Sequence, residues 1–160
     1  MRFLGLAVVT SALVLGACTK KADTPPAEST PVVAPPTAAP ITVAMAPITG
    51  KTHEVKMIGD EKGYRFEPAE ITIKAGDGIK FIMISNGPHN VAFDPATLPA
   101  AAKAQLMANM TEQVSELSGK FLQEPNAEYV ISFAGVPAGT YEFFCTPHLA
   151  FNMRGKVTIK

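Results

Sequence analysis

The sequence predicts an all-β domain that one short helix interrupts. From Thr52 onward, short β-prone runs alternate with turn signals, which indicates an antiparallel sandwich or barrel rather than strands alternating with helices. Hydrophobic residues make up 47% of the 160 residues and charged residues 18%, so one buried core and one domain are expected. The 14 basic residues only equal the 14 acidic ones. Nucleic acid is therefore not an expected partner, because a phosphate backbone selects a basic excess.

Residues 1–17 are predicted to be a lipoprotein signal peptide. Arg2 precedes an apolar run, residues 3–17, that ends in small residues, as export signals do. The tetrapeptide Leu15-Gly16-Ala17-Cys18 resembles the bacterial lipobox, which implies that Cys18 is lipidated and begins the mature chain. A transmembrane helix fits less well, because about 15 residues at about 1.5 Å each reach roughly 22 Å and a hydrocarbon core measures about 30 Å.

Residues 18–50 are predicted to form a tether, and residues 51–160 the folded domain. The tether is rich in Pro, Ala, Thr and Val, and such a segment behaves as a semi-rigid spacer because it cannot bury enough apolar area to fold. The domain is thus expected to be exported and lipid-anchored to a bacterial membrane, on its periplasmic side or at the cell surface.

Eight short runs are the candidate strands. They cover residues 53–58, 64–66, 71–74, 79–85, 90–93, 129–133, 140–145 and 155–160. Residues 75–78 and 137–139 are predicted turns, because Gly tolerates positive φ and Pro fixes φ in a turn. Residues 98–110 are rich in strong helix formers, so one short helix is expected there.

The stretch Cys145-x2-His148-x4-Met153 has the residue types of a copper site, and another histidine, His89, lies far upstream. Soft sulfur ligands suit Cu(I), imidazole suits copper generally, and a His₂Cys set with a weak axial Met is typical of blue copper proteins. One loop would supply three ligands, and His89 would hold the ion from a second loop. The sequence therefore predicts one copper ion per chain, bound by His89, Cys145, His148 and Met153.

The cysteine count supports this interpretation. The chain has two cysteines, and lipidation of Cys18 would leave Cys145 without a disulfide partner in the mature chain. An unpaired cysteine in an oxidising compartment indicates reactivity or metal binding.

Each ligand taken alone also has a simpler explanation. Cysteine is often a small buried hydrophobe, and methionine often fills the core. Structural zinc normally takes four Cys or His ligands, whereas Cys145, His89 and His148 provide three. Catalytic zinc with an open position stays possible. A catalytic pair of Cys145 with either histidine is the enzyme alternative, but it leaves Met153 unexplained.

Residues 52–160 resemble plastocyanin and related small cupredoxins, most densely over residues 64–77, 87–94 and 138–157. The resemblance implies an eight-stranded Greek-key cupredoxin sandwich with copper near one end. It also implies that Asn90 ties the two ligand loops together beside Thr146. Such contacts outside the ligand set orient the ligands and tune the metal.

The same resemblance implies where electrons leave. In related proteins the imidazole edge corresponding to His148 reaches the surface within an apolar patch, and Pro88, Leu149 and Phe151 are the candidates for that patch here. The acidic docking patch of plant plastocyanins is missing from the segment that follows His89. Docking is therefore expected to depend mainly on apolar contacts.

The expected function is one-electron carriage, with copper cycling between Cu(II) and Cu(I) and no substrate turned over. Redox proteins such as c-type cytochromes or membrane oxidoreductases are the expected partners of a monomer. A periplasmic copper chaperone or storage lipoprotein is the main alternative. An oxidase or nitrite reductase would need more copper ligands than three histidines supply. A structural β-sandwich adhesion module, in which the copper motif occurs by chance, is a further alternative.

Overall fold

Seven strands form two sheets in the computed structural model, which describes residues 44–160. The strands are β1 (Thr52–Asp60), β2 (Gly63–Glu67), β3 (Glu70–Ile73), β4 (Gly78–Met83), β5 (Glu128–Ser132), β6 (Gly139–Phe144) and β7 (Arg154–Ile159). One helix, α1 (Ala100–Asn109), lies between β4 and β5. The predicted signal peptide, Cys18 and most of the predicted tether lie outside the described residues.

The two sheets have the strand orders β2-β1-β4-β5 and β3-β7-β6. In the first sheet β1 pairs antiparallel with β2 and parallel with β4, and β4 pairs antiparallel with β5. In the second, β7 pairs parallel with β3 and antiparallel with β6. The end of β6 and the start of β7 therefore lie at the same end of their sheet, and the predicted ligand loop, residues 145–153, connects them.

The all-β class with one short helix is confirmed, but two details of the expectation are wrong. The sheets are mixed rather than purely antiparallel. The predicted strand over residues 90–93 is not a strand, because only isolated bridges form there, such as the pairing of Ala92 with Phe144. Seven strands are therefore found within residues 44–160, where eight were expected.

The core lies between the sheets, where side chains of alternating strand residues face inward. Phe66 on β2 and Phe81 on β4 meet Phe143 on β6 in edge-to-face contacts, with ring centroids 4.8 and 5.4 Å from that of Phe143. This geometry suits the aromatic quadrupole, and all three rings are buried. Gly76, in one predicted turn, has φ +89°, a conformation that glycine adopts without strain.

Residues 44–50 lie against the domain, although the sequence analysis assigned them to the tether. Asn109 at the end of α1 accepts a hydrogen bond from the Ala46 backbone N–H at 2.9 Å and donates to the Ser132 carbonyl at 2.8 Å. The Thr49 N–H donates to the Gly76 carbonyl at 3.0 Å. Within residues 44–160, no helix has the length and apolar character that crossing a membrane requires.

Candidate metal centre

Three side chains from two separate loops meet at one end of the sandwich. Cys145 Sγ lies 3.7 Å from His89 Nδ1 and 3.5 Å from His148 Nδ1, and the two Nδ1 atoms are 3.2 Å apart. All three residues are buried. A thiol and two imidazoles thus point at one another in a water-poor space, which is an arrangement for shared binding of a metal ion.

The spacing of these three atoms fits a first-row transition metal. A triangle with edges of 3.7, 3.5 and 3.2 Å has a point that lies about 2.0 Å from all three corners. Imidazole nitrogens bind zinc at about 2.0–2.1 Å and thiolates at about 2.3 Å, so the triangle needs only slight expansion. The donor set of two nitrogens and a thiolate is that of copper sites. The residues therefore fit a copper ion.

The loop between β6 and β7 is folded by its own backbone. The Cys145 N–H donates to the Met153 carbonyl at 3.1 Å, and the Met153 N–H donates to the His148 carbonyl at 3.2 Å. A single 3₁₀ turn, Leu149–Phe151, lies between, and Asn152 closes it with φ +59°. Met153 is fully buried and belongs to the same core cluster as Cys145. The loop thus brings Cys145, His148 and Met153 close together.

His89 is held in place by both its backbone and its ring. Its N–H donates to the Leu122 carbonyl at 3.0 Å, and the Leu122 N–H donates back at 2.7 Å. Its ring Nε2 lies 2.9 Å from the Ser85 carbonyl. A carbonyl only accepts, so Nε2 carries the proton and, in the neutral ring, Nδ1 keeps a free lone pair. That lone pair is the one that faces Cys145.

Burial favours the uncharged forms of all three groups. It lowers the pKa of His89, and it lowers that of His148, where the neighbouring His89 adds to the effect. Burial raises the pKa of the Cys145 thiol, and backbone N–H groups of Asn90 and His148 partly offset that rise. Neutral imidazoles are ready to bind a metal, whereas the thiol must lose its proton to the medium when a cation binds.

Asn90 connects the two loops. Its Oδ1 accepts a hydrogen bond from the Thr146 backbone N–H at 2.8 Å, and its Nδ2 lies 3.2 Å from Thr146 Oγ1. The same Nδ2 donates to Ser118 Oγ at 3.0 Å. Asn90 is buried, while Thr146 is exposed. Displacement of either ligand loop would therefore break hydrogen bonds that are partly or fully buried.

The surface above the site is largely apolar. His148 itself is 7% exposed, whereas Phe151 is 65% and Leu149 37% exposed. Pro88, next to His89, is also exposed. The three residues predicted for the patch thus lie on the ligand loops and are accessible.

Tyr64 also belongs to this end of the molecule, although the sequence analysis did not assign it. Its ring is stacked on the His148 imidazole, with centroids 3.7 Å apart and an interplanar angle of 10°. Two-residue periodicity places Tyr64 on the same face of β2 as the buried Phe66. That pattern could have indicated that Tyr64 packs inside the domain. Its partner His148 lies too far along the chain to be found by local periodicity.

The third histidine does not join the site. His53 lies at the start of β1, and its Nε2 is 2.8 Å from Asp77 Oδ2. The backbone N–H groups of Lys51 and Lys74 also donate to Asp77, at 2.8 and 3.0 Å. This cluster joins β1 to the turn before β4, so its role is structural.

Comparisons with known proteins match this chain to a family of copper proteins. A family model described as copper binding proteins, plastocyanin/azurin family, matches residues 53–160. Plastocyanin of Prochlorothrix hollandica is 35% identical over 118 residues, which cover 74% of this chain and 80% of that protein. Plastocyanin of Nostoc punctiforme is 34% identical, with coverage of 70% and 76%. The oxidized form of plastocyanin from Dryopteris crassirhizoma superimposes with a TM-score of 0.51 at 33% identity, covering 67% of this chain and 99% of that one.

Proposed function

Because the chain belongs to the plastocyanin/azurin family of copper binding proteins, we propose that His89, Cys145 and His148 would be the principal ligands of its copper and that the Met153 thioether would be a weaker one. The chain is a type 1 copper electron carrier and not an enzyme. The observation that carries the ligand assignment is the triangle of two Nδ1 atoms and one Sγ, which leaves room for a single ion.

Bound copper supplies a one-electron couple between Cu(II) and Cu(I), and the protein's own part is to hold the ligands still. The Ser85 carbonyl fixes the His89 ring through its Nε2–H. Asn90 fixes the Cys145 loop through Thr146. Because these contacts do not depend on the charge of the metal, the ligands need to move little when an electron arrives or leaves. Burial of all three ligands keeps water from becoming an additional one.

Electrochemistry of the purified protein tests this function. We expect one copper per chain and a reversible wave that follows a one-electron Nernst curve, unaltered over repeated cycles. A copper chaperone or storage protein would instead release or exchange its ion and give no stable reversible wave. Such a result would overturn the proposed electron-transfer role while leaving the copper site in place.

Pro88, Leu149 and Phe151 are proposed as the electron-transfer surface. Their support is exposure on the two ligand loops, next to His148. Redox proteins, such as c-type cytochromes or membrane oxidoreductases, are the proposed partners. Because the contact would be apolar, its association rate should vary little with ionic strength, whereas charge-steered encounters slow steeply as salt rises. Stopped-flow mixing with a partner at several salt concentrations tests this proposal, and a steep salt dependence would contradict it.

Export and anchoring are proposed from the sequence alone. Residues 1–17 would be the signal peptide, Cys18 the lipidated residue and residues 18–50 the tether, the last part of which, residues 44–50, lies against the carrier domain of residues 51–160. A tether of about thirty residues at about 3.1 Å per residue could reach several tens of ångströms. That reach would let the carrier, on the periplasmic side or at the cell surface, meet partners in or near the same membrane.

A further inference from the structure

We propose that electrons enter and leave through the stacked ring of Tyr64 and the neighbouring ring of Phe151, rather than directly through the edge of the His148 imidazole. This proposal rests on the proposed function, in which His148 is a copper ligand. It assigns a role to Tyr64 and defines the part of the apolar surface that a redox partner must touch.

The first step of the argument is exposure. His148 is only 7% exposed, so a partner has little access to its imidazole. Phe151 is 65% exposed, and its ring centroid lies 5.2 Å from that of Tyr64 and 6.3 Å from that of His148. Tyr64 is only partly buried, so both aromatic rings are more accessible to a partner than the imidazole of His148 is.

The second step is contact. The Tyr64 and His148 rings are nearly parallel, with centroids 3.7 Å apart, which is the distance of carbon atoms in van der Waals contact. Tunnelling weakens steeply with each ångström of empty space, so two π-systems in face-to-face contact couple far better than two separated by a gap. The Tyr64 ring is thus an extension of the imidazole toward the surface. The Phe151 ring, tilted by 48° against Tyr64, continues the aromatic contact outward.

The third step is that the fold keeps room for this stack. Gly59 on β1 faces Tyr64 on β2, and a Cβ at Gly59 would come within 2.8 Å of the Tyr64 ring and 2.7 Å of the Asn86 Cβ. A side chain at position 59 would therefore have to displace the tyrosine ring, Asn86 or both. Gly59 lets the ring of Tyr64 lie flat on His148.

The transfer needs no chemistry at the aromatic rings. One electron leaves Cu(I), which becomes Cu(II), and the oxidised partner gains that electron. No proton moves and no bond forms or breaks. Tyr64 and Phe151 provide orbitals between donor and acceptor and are not themselves oxidised, so a phenylalanine at position 64 can do the same.

The experiment measures electron self-exchange between oxidised and reduced copies of the full chain by NMR line broadening. Self-exchange has no driving force, so a change in midpoint potential cannot explain a change in its rate. We expect Tyr64→Leu, which stays apolar but loses the ring, to lower the rate constant several-fold. Gly59→Ala should lower the rate constant to the extent that it displaces the Tyr64 ring, which the ring-current shift of His148 measures. Tyr64→Phe, which keeps the stacked ring, should have the wild-type rate constant.

Two further readouts separate a lost contact from a damaged site. In metal-free protein, the His148 ring protons should carry an upfield ring-current shift that Tyr64→Leu abolishes and Tyr64→Phe retains. Copper content and the visible spectrum should stay as in the wild type. Phe121→Leu is the matched control, because Phe121 is an exposed aromatic, 41% accessible, and its ring stacks on neither imidazole of the described site. That control should leave the self-exchange rate unchanged.

An unchanged self-exchange rate in Tyr64→Leu, with the ring-current shift gone, would overturn the proposed route and leave the carrier function standing. A wild-type protein that fails to cycle reversibly by one electron would instead overturn the function itself. An equal loss of rate in Phe121→Leu would also contradict the route, because any apolar surface change would then have the same effect.

Discussion

The carboxamide of Asn90 holds both the backbone and the side chain of Thr146. Its Oδ1 accepts from the Thr146 N–H at 2.8 Å, and its Nδ2 lies 3.2 Å from Thr146 Oγ1. These two residues are 56 positions apart, and each is next to a candidate copper ligand, His89 or Cys145. One buried amide therefore ties the two ligand loops together, in addition to the paired backbone hydrogen bonds between Ala92 and Phe144.

The first prediction concerns this amide. Asn90→Ala should lower the free energy of unfolding of the metal-free protein by about 1–3 kcal/mol, because it removes hydrogen bonds and leaves buried partners unsatisfied. It should also weaken copper binding, since contacts outside the ligand set orient the ligands. Urea unfolding and competition for Cu(I) with a chelator measure the two effects.

Thr146→Val is the matched control for Asn90→Ala. It removes only the contact to the exposed hydroxyl and keeps the 2.8 Å bond to the backbone N–H. Its effect on both measurements should be clearly smaller. Equal effects of the two variants would contradict the assignment of the backbone bond as the main link between the loops.

The second prediction concerns Met153, which is buried beside Cys145 and His148. Met153→Leu should keep the blue colour while its midpoint potential rises, because leucine offers Cu(II) no axial donor and the Cu(I) form is favoured by comparison. Voltammetry and the visible spectrum of the variant test this directly. A colourless variant, or an unchanged potential, would contradict the axial role.

The third prediction concerns the hydrogen-bonded cluster around Asp77, at the start of β1. Hydrogen bonds from Lys74, His53 and Lys51 lower the pKa of Asp77 to about 2 from a usual value of 3.8. A carboxyl group whose pKa is lower in the folded state stabilises that state at pH values above its unfolded-state pKa. This stabilisation is lost as the pH falls through the folded-state pKa. Asp77→Asn should therefore destabilise the protein most near neutral pH, with the difference from wild type narrowing between about pH 4 and pH 2.

Urea unfolding of the metal-free protein at a series of pH values measures that difference. Metal-free protein is the right sample, because bound copper would add its own pH dependence. A difference between wild type and Asp77→Asn that is the same near neutral pH and at pH 3 would contradict the proposed origin of the stabilisation.

The fourth prediction concerns the N-terminal region. If Cys18 is lipidated, the full-length protein should partition with membranes and Cys18→Ser should be found in the soluble fraction. Membrane fractionation and intact-mass analysis test this, and a wholly soluble wild type without acyl groups would contradict it.

A chain that begins at Ala44 should also be more stable than one that begins at Thr52, because the backbone N–H groups of Ala46 and Thr49 donate hydrogen bonds to the domain.

Local sequence patterns were enough for most of the fold. β-prone runs between turn signals located seven of the eight candidate strands, and helix formers located α1 close to its observed bounds. Residues 90–93 were wrongly expected to form a strand, since their β-prone composition is used for burial in a loop with only isolated bridges. The parallel pairs β1·β4 and β3·β7 could not be predicted, because strand partners are chosen by long-range packing.

The residues of the site likewise include some that the sequence predicts and some that it does not. Spacing singled out Cys145, His148 and Met153, since they lie in one loop whose residue types suit copper. It gave no information on Ser85, whose carbonyl fixes the His89 tautomer, because any residue can supply a carbonyl. Nor could it find the stack of Tyr64 on His148, which depends on how β2 and the β6–β7 loop meet in space.

The visible absorption spectrum of purified, Cu(II)-loaded protein, with copper content measured on the same sample, tests the central claim most directly. A thiolate bound to Cu(II) gives strong visible charge transfer, so we expect one copper per chain and an intense blue band that Cys145→Ser abolishes even where some copper still binds. A colourless Cu(II)-loaded wild type, or a Cys145→Ser variant with the wild-type spectrum, would contradict the assigned site and favour the catalytic Cys–His alternative.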